Sequence, residues 1–173
     1  KPLQYISEAY KELGDEDKAL EYNQQYMDKN PNAAPTDFMK LAEIYVNKAK
    51  KDPAKKVENI DKAIGVYAKL AEKYPTLKPF AKLQEGNTAF QNELDDKAIA
   101  AYTEVINELE AKQCDEDELS YLKTSYQYMG FIYTYDKQDF DTAKPYWDKL
   151  LKLDPQNKLA NDAYEKAGLK PGE

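Results

Sequence analysis

Residues 126–155 read YQYMGFIYTYDKQDFDTAKPYWDKLLKLDP. Two helical signals meet in this stretch. Tyr126, Met129, Gly130 and Tyr133 recur at the three- and four-residue steps of one helix face. Ala143, Trp147 and Leu150 do the same after an acidic turn, and Asp154-Pro155 closes the segment. The trio with spacing i, i+4, i+7 has three counterparts upstream: Ala19/Asn23/Tyr26, Ala63/Tyr67/Leu70 and Ala98/Tyr102/Val105. A proline stands five residues past the last member in three of the four copies, at Pro31, Pro75 and Pro155. The chain is therefore an internal repeat. A stack of repeats offers extended faces more readily than a deep pocket.

Composition narrows the chemistry. The 173 residues carry a net charge of −7 with 42% hydrophobic and 33% charged residues, a globular balance. All 25 basic residues are lysine, and the sequence has neither arginine nor histidine. Ser-His-Asp and Cys-His machinery and histidine zinc sites are excluded. So is the planar guanidinium fork that grips phosphate or carboxylate at two points. An acidic chain is also a poor match for nucleic acid, where phosphate neutralisation supplies most of the affinity. No cofactor is implied, and no apolar run is long enough to span a bilayer. Cys114 is the only cysteine and sits beside Asp115-Glu116-Asp117-Glu118, so an inert thiol with a raised pKa is expected. The chain begins at Lys1-Pro2 inside a helical pattern and without methionine, as a trimmed piece would. Its lysine-, asparagine- and tyrosine-rich composition points to an AT-rich bacterial genome and leaves the compartment, bacterial cytoplasm or periplasm, unassigned.

Boundary residues divide the chain into helix pairs. The first pair reads about 2–13 and 15–29, joined at Gly14 with Asp15 or Asp17 as N-cap. The second reads about 36–51 and 53–73, with Asp52 as cap and Pro53 in the first turn. The third reads about 79–92 and 95–111. The fourth reads about 116–135 and 140–153. A short helix over 158–167 is capped by Asn157 and ended by Gly168.

This organisation resembles the tetratricopeptide repeat family. The first unit shows Leu3, Ile6, Ser7, Tyr10, Gly14-Asp15, Ala19, Asn23, Tyr26 and Pro31. The second shows Phe38, Leu41, Ala42, Tyr45, Ala63, Tyr67, Leu70 and Pro75. The third shows Leu83, Gly86, Ala89, Phe90, Ala98, Tyr102 and Val105, with Glu110 in place of the proline. The resemblance implies an all-α, right-handed α-solenoid of four helix hairpins plus a C-terminal capping helix. It forms a single array with units at about 1–34, 35–78, 79–112 and 116–156 and the cap at 158–167. Small residues would let paired helices approach, and the aromatic residues would fill the gaps, so most of the fifteen tyrosines are packing. The chain departs from the family in spacing: its alanines lie 44, 35 and 45 residues apart, against a 34-residue unit. At the family's usual alanine late in the second helix it carries Tyr26, Leu70, Val105 and Leu150, which would shift the helix crossing.

The resemblance also implies a non-catalytic interaction scaffold whose concave groove takes a peptide or helix of a protein partner. The candidate groove residues carried over are Glu8, Met39, Glu43, Asn47, Gln84, Thr88, Gln91, Gln127, Tyr128, Phe131 and Tyr135, flanked by Gln4, Lys11, Val46, Thr124 and Thr134. The carboxylate clamp of some members looks absent, since Gln4, Glu8, Ala81 and Glu85 occupy its places. Thr124, Tyr128, Phe131 and Tyr135 form a second stripe at i, i+4, i+7, i+11. They either pack on neighbouring helices or make an aromatic pocket. Acid clusters at 15–17, 95–96, 115–118 and 136–141 read as helix caps, since none has calcium-loop spacing. Lys48, Lys50, Lys51, Lys55 and Lys56 read as a solvated helix turn, with an anionic-partner site as the alternative. A second functional reading is structural: a segment of a longer multidomain or self-associating protein with no separate ligand. Exposed apolar surface over 2–10 would separate the two.

Overall fold

The four repeat alanines mark the close helix crossings. In the computed structural model, which describes residues 2–172, Ala19, Ala63, Ala98 and Ala143 are all fully buried. Nine α-helices run through the described residues: α1 (Pro2–Glu12), α2 (Glu16–Lys29), α3 (Pro35–Lys51), α4 (Lys56–Lys73), α5 (Lys78–Phe90), α6 (Asp95–Leu109), α7 (Glu116–Phe131), α8 (Phe140–Leu153) and α9 (Lys158–Lys166). No strand occurs among them. The chain forms two compact units, Lys1–Leu94 with α1–α5 and Asp95–Glu173 with α6–α9. The division falls at the turn after α5, where Glu93 takes a left-handed φ of 64°.

Local chemistry sets most helix ends. Asp15 accepts the Lys18 N–H at 3.1 Å, Asp139 that of Thr142 at 3.0 Å and Asn157 that of Ala160 at 3.2 Å. Asp115 accepts the Glu118 N–H at 2.8 Å while Glu118 accepts that of Asp115 at 3.3 Å, a reciprocal capping box. The clusters at 15–17, 115–118 and 136–141 thus cap helices as their positions predict, whereas Asp96 of the 95–96 cluster lies inside α6 and pairs with Lys137 at 3.0 Å. Gly14 and Gly168 end α1 and α9 with φ of 75° and 69°.

Two boundaries differ from the sequence reading. Asp52 makes no side-chain cap, and where the second helix was expected to start at 53, Pro53–Lys55 form a 3-10 turn before α4 begins at Lys56. The helix expected over 116–135 stops at Phe131 and opens into a π turn at Ile132–Asp136, whose Ile132 carbonyl accepts the Lys137 N–H at 2.9 Å.

In the first unit each helix packs on the next, α1 through α5. Ser7, buried on α1, donates its hydroxyl to the Ala19 carbonyl at 2.7 Å, a contact open only to a small side chain at this crossing. The main core lies between α3 and α4, where Phe38, Leu41, Ala42, Ala63, Tyr67 and Leu70 meet, with Leu20 and Met27 of α2 packed against them. A buried carboxylate joins the first two hairpins. Asp37 accepts from Gln4 Nε2 at 2.7 Å, the Tyr26 hydroxyl at 3.0 Å and the Ala34 N–H at 2.7 Å.

In the second unit α7 packs on α6 and α8, and α9 closes over α7 and α8. Trp147 is fully buried against Gly130 and donates its indole N–H to Thr134 Oγ1 at 2.9 Å. Tyr102 stacks on Tyr128 at 5.5 Å and Tyr133 on Tyr146 at 6.1 Å; Phe140 meets Tyr164 edge-on at 5.5 Å. These aromatic residues pack, as the repeat pattern requires.

Cys114 is half-buried and donates its thiol to the Leu109 carbonyl at 3.3 Å. Burial, reinforced by Glu118, pushes its pKa up. Because the thiolate is the nucleophile, alkylation by iodoacetamide at pH 8 is expected to run slower than with a free thiol. Its pH–rate midpoint should lie above the ordinary value near ~8.5. A midpoint below that value would contradict the geometry.

Candidate partner-binding surfaces

On the first unit, α1 and α3 lie side by side and are cross-linked at the surface. Lys11 reaches Glu43 at 2.9 Å and Lys40 reaches Glu8 at 3.2 Å. Hydrogen bonding to Glu43 holds the Lys11 ammonium above its usual pKa. Exposed pairs of this kind contribute less than about 1 kcal/mol each. Their effect is geometric: they fix the spacing and charge order of a polar strip that includes the exposed Met39 and the half-buried Asn47. On α5, Gln84 is half-buried and Gln91 is exposed where the helix ends. Thr88 turns inward: it is buried and hydrogen-bonds Tyr67, which places it in the packing between α4 and α5. Glu8, Met39, Glu43 and Asn47 are therefore brought together on α1 and α3, and Thr88 is withdrawn from the surface.

On the second unit the candidates lie along α7 and its π turn. Gln127 accepts from Asn157 Nδ2 at 3.3 Å, and Tyr128 lies against the buried Tyr102. Phe131 and Tyr135 pack on each other at 4.8 Å, and the Lys166 ammonium of α9 sits 4.7 Å over the Tyr135 ring. All four are half-buried. The stripe thus divides: Tyr128 packs on α6, whereas Phe131 and Tyr135 keep a solvent-facing side. Beside them a hollow of ≈ 360 Å³ is lined by Thr134, Tyr135, Gln138, Phe140, Ala163, Lys166 and Ala167. The π turn builds it, directing Thr134 to the Trp147 indole and Tyr135 toward Phe131.

In the lysine-rich segment Lys50, Lys51 and Lys55 are exposed, as a solvated turn would be, and three of the five lysines also form ion pairs. The segment borders a hollow of ≈ 460 Å³ between the start of α2 and the end of α3. Lys48 pairs with Asp17. Lys51 bonds the buried Glu16 at 2.6 Å and the Gly14 carbonyl at 2.7 Å. Lys56 pairs with Glu93 at 3.1 Å. These lysines tie hairpins together, which spacing alone could not reveal because each partner lies more than thirty residues away in sequence. Among the described residues, no group of three or more cysteine, aspartate and glutamate side chains is placed to hold a metal ion. No described helix is long and apolar enough to cross a membrane.

Comparison with known proteins agrees with this architecture. The model of the tetratricopeptide repeat family matches residues 3–33 and 38–76, the first two hairpins. No curated protein matches the chain. Among solved structures, the human IFIT1 dimer with PPP-AAAA is 17% identical, with a TM-score of 0.61 over 95% of this chain and 36% of that one. TTC0263, a thermophilic tetratricopeptide protein of Thermus thermophilus, is 22% identical, with a TM-score of 0.51 over 95% of this chain and 79% of that one. The chain thus spans about a third of IFIT1. At these identities the likeness is one of fold, an all-α solenoid of helix hairpins. Residues 3–33 and 38–76 thus match the tetratricopeptide repeat model, within an all-α solenoid fold shared over 95% of the chain.

Proposed function

We propose that this repeat scaffold holds a segment of a protein partner against the first helices of its hairpins and performs no chemistry of its own. The observation that carries the reading is the Phe131–Tyr135 pair beside the open hollow at the π turn. Half-exposed aromatic residues next to a concavity are the usual anchors of protein interfaces, and π turns recur at functional sites. An apolar side chain of the partner would enter between Tyr135 and Phe140, with Lys166 at the rim. The α1–α3 strip, with Glu8, Lys40, Lys11 and Glu43 in alternating charge, offers a second polar contact line on the other unit.

A photoreactive phenylalanine analogue at Tyr135 or Gln127 tests the proposal in cells. Covalent capture of a protein is expected there, and not with the analogue at the exposed second-helix position Lys69. Equal labelling at all three sites would sink the proposal. The IFIT1 structure holds PPP-AAAA. For the present chain, the net charge of −7 and the lack of arginine favour a protein over a phosphate-rich ligand. Retention of a 5′-triphosphate oligoadenylate on a filter at low salt would reverse that preference.

A further inference from the structure

The outer face of α1 is apolar and uncovered. Pro2, Tyr5, Ile6 and Ala9 form one stripe along the helix, continued by Leu13 in the turn that follows it, and all five are exposed, Tyr5 at 73% and Leu13 at 79%. The repeat supplies an internal comparison. Thirty-five residues on, the line Asp37, Leu41, Ile44, Lys48 of α3 stands in the register of Pro2, Ile6, Ala9, Leu13. On α3 that line meets α2: Tyr26 of α2 bonds Asp37, Asp17 pairs with Lys48, and Leu20 and Met27 pack against the core that contains Leu41. Leu41 and Ile44 are accordingly 6% and 1% exposed, whereas Ile6 is 37% exposed. At the other end of the chain, α9 buries Ala160, Ala163 and Tyr164 and exposes Lys158, Asn161, Asp162, Glu165 and Lys166, with Leu159 the one large apolar residue among them. A polar outer face is what closes a repeat stack. The α9 end has one and the α1 end does not.

We infer that the outer face of α1 is a docking surface for one further helix hairpin of the same repeat type, seated by its second helix as α2 is seated on α3. The face also specifies that hairpin's chemistry. Where α3 offers the polar anchors Asp37 and Lys48, α1 and the turn that follows it offer Pro2 and Leu13. The docking helix must therefore be apolar where α2 carries Asp17. A further α2 would be mismatched at that point and a leucine-bearing relative would fit. This inference is independent of the Phe131–Tyr135 hollow, which lies in the other unit.

The test joins a second copy of residues 2–36 ahead of Pro2 in the full chain, so that Pro2 occupies the place held by Asp37 after α2. The copy is made in two forms, unchanged and with its Asp17→Leu. Amide exchange in α1 is expected to slow about tenfold or more with the Asp17→Leu copy and by less with the unchanged copy. Leu13→Glu, just past the end of α1, should abolish the gain. In the unfused chain Leu13→Glu should leave thermal stability unaltered, because that side chain is already in water. Exchange that is the same with and without the copies would overturn the inference, as would protection that survives Leu13→Glu. Sedimentation of the unfused chain supplies the remaining outcome. A dimer that Leu13→Glu dissociates would assign the face to a second copy and refute the hairpin.

Discussion

Replacing Trp147 by alanine is expected to destabilise the Asp95–Glu173 unit by about 3–5 kcal/mol, the range for truncating a buried aromatic residue. Trp147 is fully buried, and its ring lies where the missing side chain of Gly130 would be: a Cβ built there falls 2.5 Å from the indole. The indole N–H also fixes Thr134 within the π turn, so its loss should loosen the turn that shapes the hollow beside Tyr135. Gly130→Ala attacks the same contact from the other side and should cost about 1–3 kcal/mol through overpacking. The two changes share one space. Adding Gly130→Ala to Trp147→Ala should therefore cost less than it does alone, because the methyl group can enter the vacated volume. Urea unfolding followed by far-ultraviolet circular dichroism measures all three variants. A cost below about 1 kcal/mol for Trp147→Ala would show that the indole is not a keystone of this unit.

The second large effect is expected at Asp37 in the other unit. Its carboxylate accepts three hydrogen bonds, from α1 (Gln4), α2 (Tyr26) and the backbone entering α3 (Ala34). Asp37→Ala deprives the Tyr26 hydroxyl and the Ala34 N–H of their acceptor in a part-buried place. Bonds to a charged group contribute about 1.5–3 kcal/mol each but are partly replaced by water, so a net loss of about 2–4 kcal/mol is expected. Asp37→Asn should recover part of this, since one side-chain oxygen remains to accept while the amide nitrogen confronts a donor. Hydrogen exchange gives the sharper readout. Amides of α1 and the first turn of α3 should lose protection together, because the three partners come from three chain segments. Loss confined to the first turn of α3 would mean that Asp37 is a local cap and nothing more.

How much of this was legible in the sequence depends on the range of each interaction. The repeat alanines were readable because a methyl at a helix crossing recurs at fixed spacing, and all four are buried. Asp15, Asp115, Asp139 and Asn157 were readable as caps because each bonds a backbone amide three residues ahead. The π turn was not readable: Ile132–Asp136 keeps the apolar rhythm of a helix, and the hydrogen bond from Trp147 to Thr134 within it joins residues thirteen apart on different helices. Among the candidate groove residues, Glu8, Met39, Glu43 and Asn47 lie together on α1 and α3. Thr88 looked the same in sequence but is buried against α4, since helical spacing gives a residue's face without giving the neighbour that the face meets.

By itself the sequence determined a chain of helix hairpins, because helix periodicity, capping and small-to-large alternation act over three to seven residues, within reach of any local reading. Only the tertiary structure decided that the lysines after Asn47 serve as bridges, that Asp37 joins three segments and that the stripe of α1 faces water while its counterpart on α3 is covered. Each of those outcomes depends on which helix lies alongside, and the contacts concerned join residues eleven to thirty-seven positions apart. No pattern confined to a single helix fixes such a distance. The packing of one hairpin on the next does.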